Sequence, residues 1–270
     1  MADTALVTGA AGGIGYEFCK LLGHKGYNLV MVDMNAQGLE NASSLLSQEV
    51  NTSIHTFVQD LSTEDAASSI VSFTQEKGLE IDLIFNNAGF GNFGYFAESN
   101  WDKDRAMLQV HVVTPTYLIK LLLPGMISRG KGYILNNASV AAFVPGPLMS
   151  TYHASKSYLL NFTQALANEM KGTGIKVMVI CPGMTKTNFS KANGNCDPNI
   201  KFNIMNSDHV AEYAFEALMR GKVVAVPGFW NKLSAFLPRL LSSHTVANMV
   251  GNIQRKNHAK RTDEKALKSI

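Results

Sequence analysis

The chain predicts one α/β domain, a doubly wound parallel sheet followed by a helical C-terminal tail, and three observations carry that expectation. Short β-branched or apolar runs alternate with segments long enough for helices. The runs are apolar on both faces, as strands of a sheet covered on both sides must be. Apolar residues make up 46% of 270, enough to bury a substantial core. Right-handed crossovers between successive parallel strands then wind the helices onto both faces. The expected boundaries are 1–228 for the domain and 229–270 for a C-terminal helix and basic tail.

The first strand is Ala5–Thr8, and the helix Ile14–Lys25 opens directly after a glycine-rich turn. The pattern repeats with Leu29–Asp33 and Ala36–Glu49, then with Ile54–Val58 and Thr63–Lys77. Ile81–Asn86 leads to a long helix over Trp101–Leu123, and Gly132–Asn137 leads to another over Thr151–Lys171. Lys176–Ile180 and Val223–Val226 complete the strands. Between them 183–206 is rich in Asn, Gly and Lys and reads as a long loop, which in a compact domain is usually a lid or binding loop. From Phe229 onward Leu233, Phe236, Leu237, Leu240 and Leu241 recur at helical spacing, interrupted at Pro238. A polar tail with Arg255, Lys256, Lys260 and Arg261 follows. Two readings of this end are open. The helix packs on the body or on a partner subunit with a solvated tail, or its basic flanks make peripheral contact with an anionic membrane.

Composition excludes several classes. Net charge is +3 with 17% charged residues, too balanced to indicate nucleic-acid binding. Cys19, Cys181 and Cys196 form no CxxC pair and no Cys/His cluster, so neither a disulfide framework nor a zinc site is expected and a reducing compartment fits. The N-terminus has no room for a signal peptide, since a strand and glycine turn begin at once. The most apolar stretch, Leu118 to Ile127, is broken by Lys120 and Pro124, short of a membrane span. A soluble, cytoplasmic protein is expected.

Thr8-Gly9-Ala10-Ala11-Gly12-Gly13-Ile14-Gly15 joins the first strand to the first helix. Glycines there permit a tight turn and close approach of a pyrophosphate, to which the helix N-terminus presents N–H groups. Asp33 ends the second strand 18 residues after Gly15, where a carboxylate accepts both ribose hydroxyls and repels a 2′-phosphate. Its neighbours Ala10, Ala11, Gly12 and Met34 are neutral, so NAD is favoured over NADP. Asp60, in Gln59-Asp60-Leu61, ends the third strand where it can meet an adenine amino group. Asn86-Asn87-Ala88-Gly89 ends the fourth, with small residues where backbone passes a ribose. Each is an ordinary turn former alone; together they mark the crevice at the carboxyl ends of the strands.

Tyr152 and Lys156 lie four apart on one helix face. A free tyrosine, with a pKa of about 10, is a poor base; a nearby ammonium would lower that value and suit Tyr152 to general acid or base work. Ser139, 13 residues earlier, can hydrogen-bond the substrate oxygen as charge shifts. A bare YxxxK is a common chance pattern, and the glycine turn upstream is what singles this one out.

TGAAGGIG, NNAG, the serine of NNAS, YHASK and the PGMTKT stretch at Pro182–Thr187 resemble the short-chain dehydrogenase/reductase family, from about Ala5 to Val226. The resemblance implies a Rossmann sheet of order 3-2-1-4-5-6-7 and a homodimer or homotetramer formed through the helices at 101–123 and 151–171. It implies that Tyr152 is the acid/base, that Lys156 binds the nicotinamide ribose, and that Ser139 holds the substrate oxygen. Pro182, Gly183 and Thr185 would line the nicotinamide end, with Thr187 and the Thr185 backbone gripping the carboxamide. Gly9, Gly13, Ile14, Gly15, Leu61, Asn87, Ala88 and Gly89 would complete the cofactor site. One departure stands out. Many members carry an asparagine on the fourth long helix that supports a water relay from the lysine, and His111 occupies that position here. Histidine can relay protons with an added titration near pH 6.5, or be a buried, satisfied residue; both readings are open.

Phe90, Phe93, Tyr95, Phe143, Met149, Met184 and Phe189 are expected to face the substrate, and with no arginine clamp they favour a small, uncharged, apolar carbonyl or alcohol. His153 and Lys186 read as surface residues. The expected activity is NAD-linked hydride transfer. An NAD(H)-binding regulator without turnover, supported by His111, is the alternative from another class, and epimerisation or dehydration is a third.

Overall fold

The computed structural model describes residues 2–187 and 204–268. Seven strands form one sheet: β1 (Thr4–Thr8), β2 (Asn28–Asp33), β3 (Ile54–Val58), β4 (Leu83–Asn86), β5 (Gly132–Asn137), β6 (Ile175–Ile180) and β7 (Val224–Ala225). Their order is β3-β2-β1-β4-β5-β6-β7 and every pairing is parallel, as expected. The chain order reverses between β1 and β4, so the crevice at their carboxyl ends is open for a ligand.

Pleating divides the core in two. Ala5 and Val7 of β1 point to one face with Phe18, Leu22, Leu46 and Val210, from α1 (Gly13–His24), α2 (Ala36–Ser47) and α7 (Ser207–Met219). Leu6 points to the other with Ile70 of α3 (Ala66–Glu76), Leu118 and Met126 of α5 (Thr114–Arg129), and Leu166 of α6 (Ser150–Glu169). Central strands are buried along their whole length, whereas β3 at the edge is half-exposed. The last strand shrinks to two residues from the four expected. Asn35 caps α2 by accepting from the Gly38 N–H at 3.0 Å, and Gly130 closes α5 in the left-handed conformation at φ 64°.

The helix expected over 101–123 differs in two ways. It divides into α4 (Trp101–Leu108), a π turn (Gln109–Val113) and α5, and it runs on to Arg129. Pro115 has no N–H to offer the His111 carbonyl, so the ladder opens for one turn. Pro124 is tolerated because both it and Lys120, whose carbonyl it leaves unpaired, face water. By length and composition Trp101–Arg129 could cross a bilayer. Val110, Leu118, Ile119 and Met126 instead pack it on the sheet.

A buried polar ladder ties α6 to the sheet. The Asn86 amide donates to Asn136 Oδ1, and the Asn136 amide donates to Thr163 Oγ1, each at 2.9 Å. At the C-terminus, α8 (Phe229–Phe236) breaks into a 3₁₀ turn at Leu237–Leu240, where Pro238 was expected to interrupt it. The polar tail is not a loose end: it forms α9 (Ser243–Lys268), with Val246 and Gly251 buried against the body.

Candidate active site

The carboxyl ends of β1, β2, β4, β5 and β6 open on one cleft of about 500 Å³. Gly9, Gly13, Ile14, Asp33, Asn87, Ala88, Gly89, Ser139, Tyr152, Lys156, Pro182, Gly183, Thr185 and Thr187 all line it. Gly15, Asp60, Leu61 and His111 lie outside that lining. A Cβ on Gly15 would sit 2.2 Å from the Gly9 carbonyl oxygen, so this glycine lets α1 pack on the loop. Asp60 accepts from the Ser62 N–H at 2.8 Å and shapes its own turn. Leu61 and His111 border a separate void of about 10 Å³, about the room one water needs.

At the glycine turn, Gly9 has φ +68°, and a Cβ there would lie 2.9 Å from Ala88 Cα. No side chain caps the first turn of α1, and Gly12, Gly13 and Ile14 border the cleft. That leaves a helix N-terminus facing the space, suited to an anion. Asp33 is held from both sides: Oδ2 accepts from the Ala11 N–H at 3.0 Å and Oδ1 from the Asn35 N–H at 2.9 Å. Its carboxylate therefore stands fixed at the lip. Asn35 itself borders the cleft, unforeseen from the sequence.

Across the turn, Thr8 Oγ1 accepts from the N–H groups of Asn87 and Ala88 at 3.0 and 3.1 Å. The Asn87 amide donates to the Thr8 carbonyl at 3.0 Å, and its Oδ1 accepts from the Asn137 amide at 2.9 Å. Three strand ends are thus locked together. Asn137 Oδ1 is buried without a partner at the cleft wall, an acceptor left for a bound group. These residues fit a dinucleotide: a glycine cradle that a Cβ would fill, a fixed carboxylate, and an open acceptor farther along.

Ser139, at the N-cap of a 3₁₀ turn (Val140–Phe143), accepts from the Ala141 N–H at 3.2 Å. Tyr152 and Lys156 stand one turn apart on α6, both buried. The Lys156 ammonium donates to the Asn137 carbonyl at 2.9 Å and lies 5.8 Å from the centre of the Tyr152 ring. Burial pushes the Tyr152 phenol up to about 12, while its hydrogen bond with Ser139 pulls the other way. Burial draws Lys156 down to about 8, against the pull of the nearby Cys181. Desolvation penalises both charged forms, and the expected lowering of the phenol by the ammonium is not found: what lowers Tyr152 is its hydrogen bond with Ser139, and burial exceeds it.

His111 is fully buried at the π turn. Its Nε2 accepts from the Phe90 N–H at 3.1 Å, which leaves Nδ1–H to donate to Ser155 Oγ at 2.9 Å. The Ser155 hydroxyl in turn donates to the Tyr152 carbonyl at 2.8 Å. Desolvation first, and the Lys156 charge second, hold the imidazole well below its ordinary pKa, so it is neutral.

Phe90, Phe93 and Met149, expected to face the substrate, gather around Tyr152, joined by Met107 from α4. Met184 borders the cleft, whereas Tyr95 is exposed and outside its lining. Phe143 differs: it packs behind α6, under the Arg239 guanidinium at 5.7 Å. Phe189 and Cys196 lie outside the described residues, as does most of the expected 183–206 loop, whose base is closed by a bridge between Thr185 and Met205. Lys186 is exposed as expected, but His153 is buried, its Nδ1 bonded to the Val144 carbonyl at 2.9 Å. Position i+1 from Tyr152 turns it toward the 3₁₀ turn instead of solvent. Leu148, the one described non-glycine residue at positive φ (64°), accepts from the Gly94 N–H at 2.9 Å and joins two substrate loops, those carrying Tyr95 and Met149, residues expected to face the substrate.

Two further residues come from α9. The Gln254 amide reaches Met149 Sδ at 3.9 Å, and the His258 ring meets Phe93 at 5.9 Å and Tyr95 at 5.2 Å between centroids. No spacing in the sequence connects residue 254 with residue 149.

A family model described as short chain dehydrogenase matches residues 3–196. An uncharacterized oxidoreductase of Staphylococcus saprophyticus is 29% identical over 82% of this chain and 93% of its own. The very-long-chain 3-oxoacyl-CoA reductase of Mus musculus is 31% identical over 71% of this chain, and that alignment spans 62% of the reductase. Among solved structures, a 7β-hydroxysteroid dehydrogenase superposes with a TM-score of 0.85 at 25% identity, covering 92% of this chain and 96% of that one. A short-chain dehydrogenase from Sphingobium yanoikuyae in complex with NADPH superposes with a TM-score of 0.79 at 26% identity, covering 88% and 94%.

Proposed function

This chain belongs to the short-chain dehydrogenase family, and on that premise we propose that it is an NAD-dependent oxidoreductase interconverting a secondary alcohol and a carbonyl. One observation carries the reading: a single cleft joins a glycine cradle and a fixed carboxylate at one end to Ser139, Tyr152 and Lys156 at the other. Bound there, the dinucleotide would supply or accept the hydride. The helix N-terminus at Gly12–Ile14 would hold its pyrophosphate and Asp33 the adenosine ribose, with Asp60 and Leu61 near the adenine. A relative holds NADPH; here Asp33 would meet a 2′-phosphate with like charge, and among the described residues no arginine or lysine borders the cleft near it.

In the reducing direction the Tyr152 hydroxyl donates its proton to the carbonyl oxygen, which Ser139 Oγ–H also holds. Lys156, fixed by the Asn137 carbonyl, would reach the nicotinamide ribose, and Thr187 with the Thr185 backbone would grip the carboxamide. His111 is a positioning residue in this reading: its neutral ring couples the Phe90 amide to Ser155 and so to the turn that carries Tyr152. The void beside it would hold one water of a relay. The aromatic and methionine lining suits an uncharged, apolar substrate; two relatives are named for a very-long-chain acyl group and a steroid. The buried thiols of Cys19 and Cys181 suit a reducing cytoplasm. The exposed Val113 of the π turn, Tyr117 of α5 and Tyr158 of α6 offer the face for a homodimer or homotetramer.

A screen at 340 nm with bulky ketones, against NADH and NADPH in parallel, tests this. We expect turnover with at least a tenfold preference for NADH in kcat/KM, the size of effect one misplaced charge produces. NADH binding with no turnover of any ketone or alcohol would replace the reading with a cofactor-binding regulator.

A further inference from the structure

Between Ala217 and Thr262 the chain holds eight Lys or Arg residues and no Asp or Glu, although its net charge is only +3. The rest of the protein is therefore net acidic, and the positive charge is gathered at one end. The same segment exposes six large apolar side chains within thirteen residues: Phe229, Trp230, Phe236, Leu237, Leu240 and Leu241, each between 48% and 71% accessible.

This strip is held outward by the fold. Asn231 and Ala235, one turn apart on α8, are buried, and the Asn231 amide donates to the Pro227 carbonyl at 2.8 Å. With that face turned in, Phe229 and Trp230 face out, their rings 5.6 Å apart. Single exposed apolar residues are ordinary, but a contiguous run of this size marks an interaction surface. Lys232 and Arg239 lie over Tyr213 and Phe143, at 5.9 and 5.7 Å, and remain exposed beside the strip. Arg255 and Lys256 extend the exposed charge onto α9.

A protein partner, or a second copy, would cover the apolar strip without requiring acids to be absent from a segment this long. An anionic headgroup layer answers both features at once: aromatic and leucine side chains enter the headgroup–acyl boundary while lysine and arginine remain at headgroup level. We propose that the C-terminal face docks peripherally on an anionic lipid bilayer, with Phe229–Leu241 inserted and the cations of α8 and α9 against the headgroups. This goes beyond the oxidoreductase reading and stands or falls without it.

The test is co-sedimentation of the full-length protein with vesicles of pure phosphatidylcholine or of phosphatidylcholine with 30% phosphatidylglycerol, at low and high salt. Binding is expected on the anionic vesicles alone and is weakened by salt. Arg255→Ala with Lys256→Ala is expected to lower the partition coefficient about fivefold per cation removed. Trp230→Ser with Leu240→Ser is expected to abolish binding; both positions are exposed, so the thermal melt should not move. Binding to neither vesicle, or equally to both, overturns the proposal. So does a wild-type oligomer that dissociates in the Trp230→Ser, Leu240→Ser variant, since that assigns the strip to a second copy.

Discussion

At Tyr152 and Lys156 burial is the largest influence on titration, and the consequence is a directional one. A phenol pushed up to about 12 is protonated throughout the neutral range and ready to donate. The lysine, drawn down to about 8, is charged below that pH and neutral above it. If the charged lysine is what holds the ribose and supports the phenol, ketone reduction loses kcat/KM as pH rises through about 8. A profile flat to pH 10 contradicts this role for Lys156. These residue types and their spacing were legible in the sequence, as was the pairing of Asp33 with the glycine turn. The balance of burial against charge was not, because it depends on which groups the tertiary fold strips of water. His153 shows the same gap: a polar residue on a helix reads as solvated until the 3₁₀ turn is seen to cover it.

Elements hold these groups at their distances. α6 carries Tyr152 and Lys156, and the Asn86–Asn136–Thr163 ladder fixes it to the sheet. Asn136 is 0% exposed, so Asn136→Ala strands the buried Asn86 amide and takes a donor from Thr163, whose hydroxyl keeps the Leu159 carbonyl. Leaving buried partners unpaired costs about 1–3 kcal/mol each, and a loss of about 2–4 kcal/mol in urea unfolding is expected; a change below about 0.5 kcal/mol would show that the ladder contributes little. The sequence displays these asparagines only as turn formers near strand ends. The π turn was equally hidden, since Pro115 within an apolar helical run reads as a kink of unknown kind. By contrast, the seven strands and their parallel direction were readable, because strand–helix alternation and doubly apolar runs follow directly from covering a sheet on both sides; their order came from the family resemblance.

The whole molecule combines a conventional sheet with a C-terminal end that does two things. Its inner side places Gln254 and His258 against the substrate loops, and its outer side is basic and greasy. The sequence left this end between body packing and membrane contact, for a physical reason: α9 is polar nearly throughout, and nothing in its periodicity announces a 26-residue helix. Among its residues of described burial, Val246 and Gly251 are the buried ones. The proposed chemistry rests on Tyr152. The most direct measurement is ketone reduction at 340 nm by Tyr152→Phe beside the wild type, with NADH binding to both followed by fluorescence. Removing a general acid typically costs a hundredfold or more, so kcat is expected to fall at least that far with the Kd for NADH unchanged within about threefold. A variant that keeps most of the wild-type rate would contradict the assignment of Tyr152 and, with it, the proposed reaction.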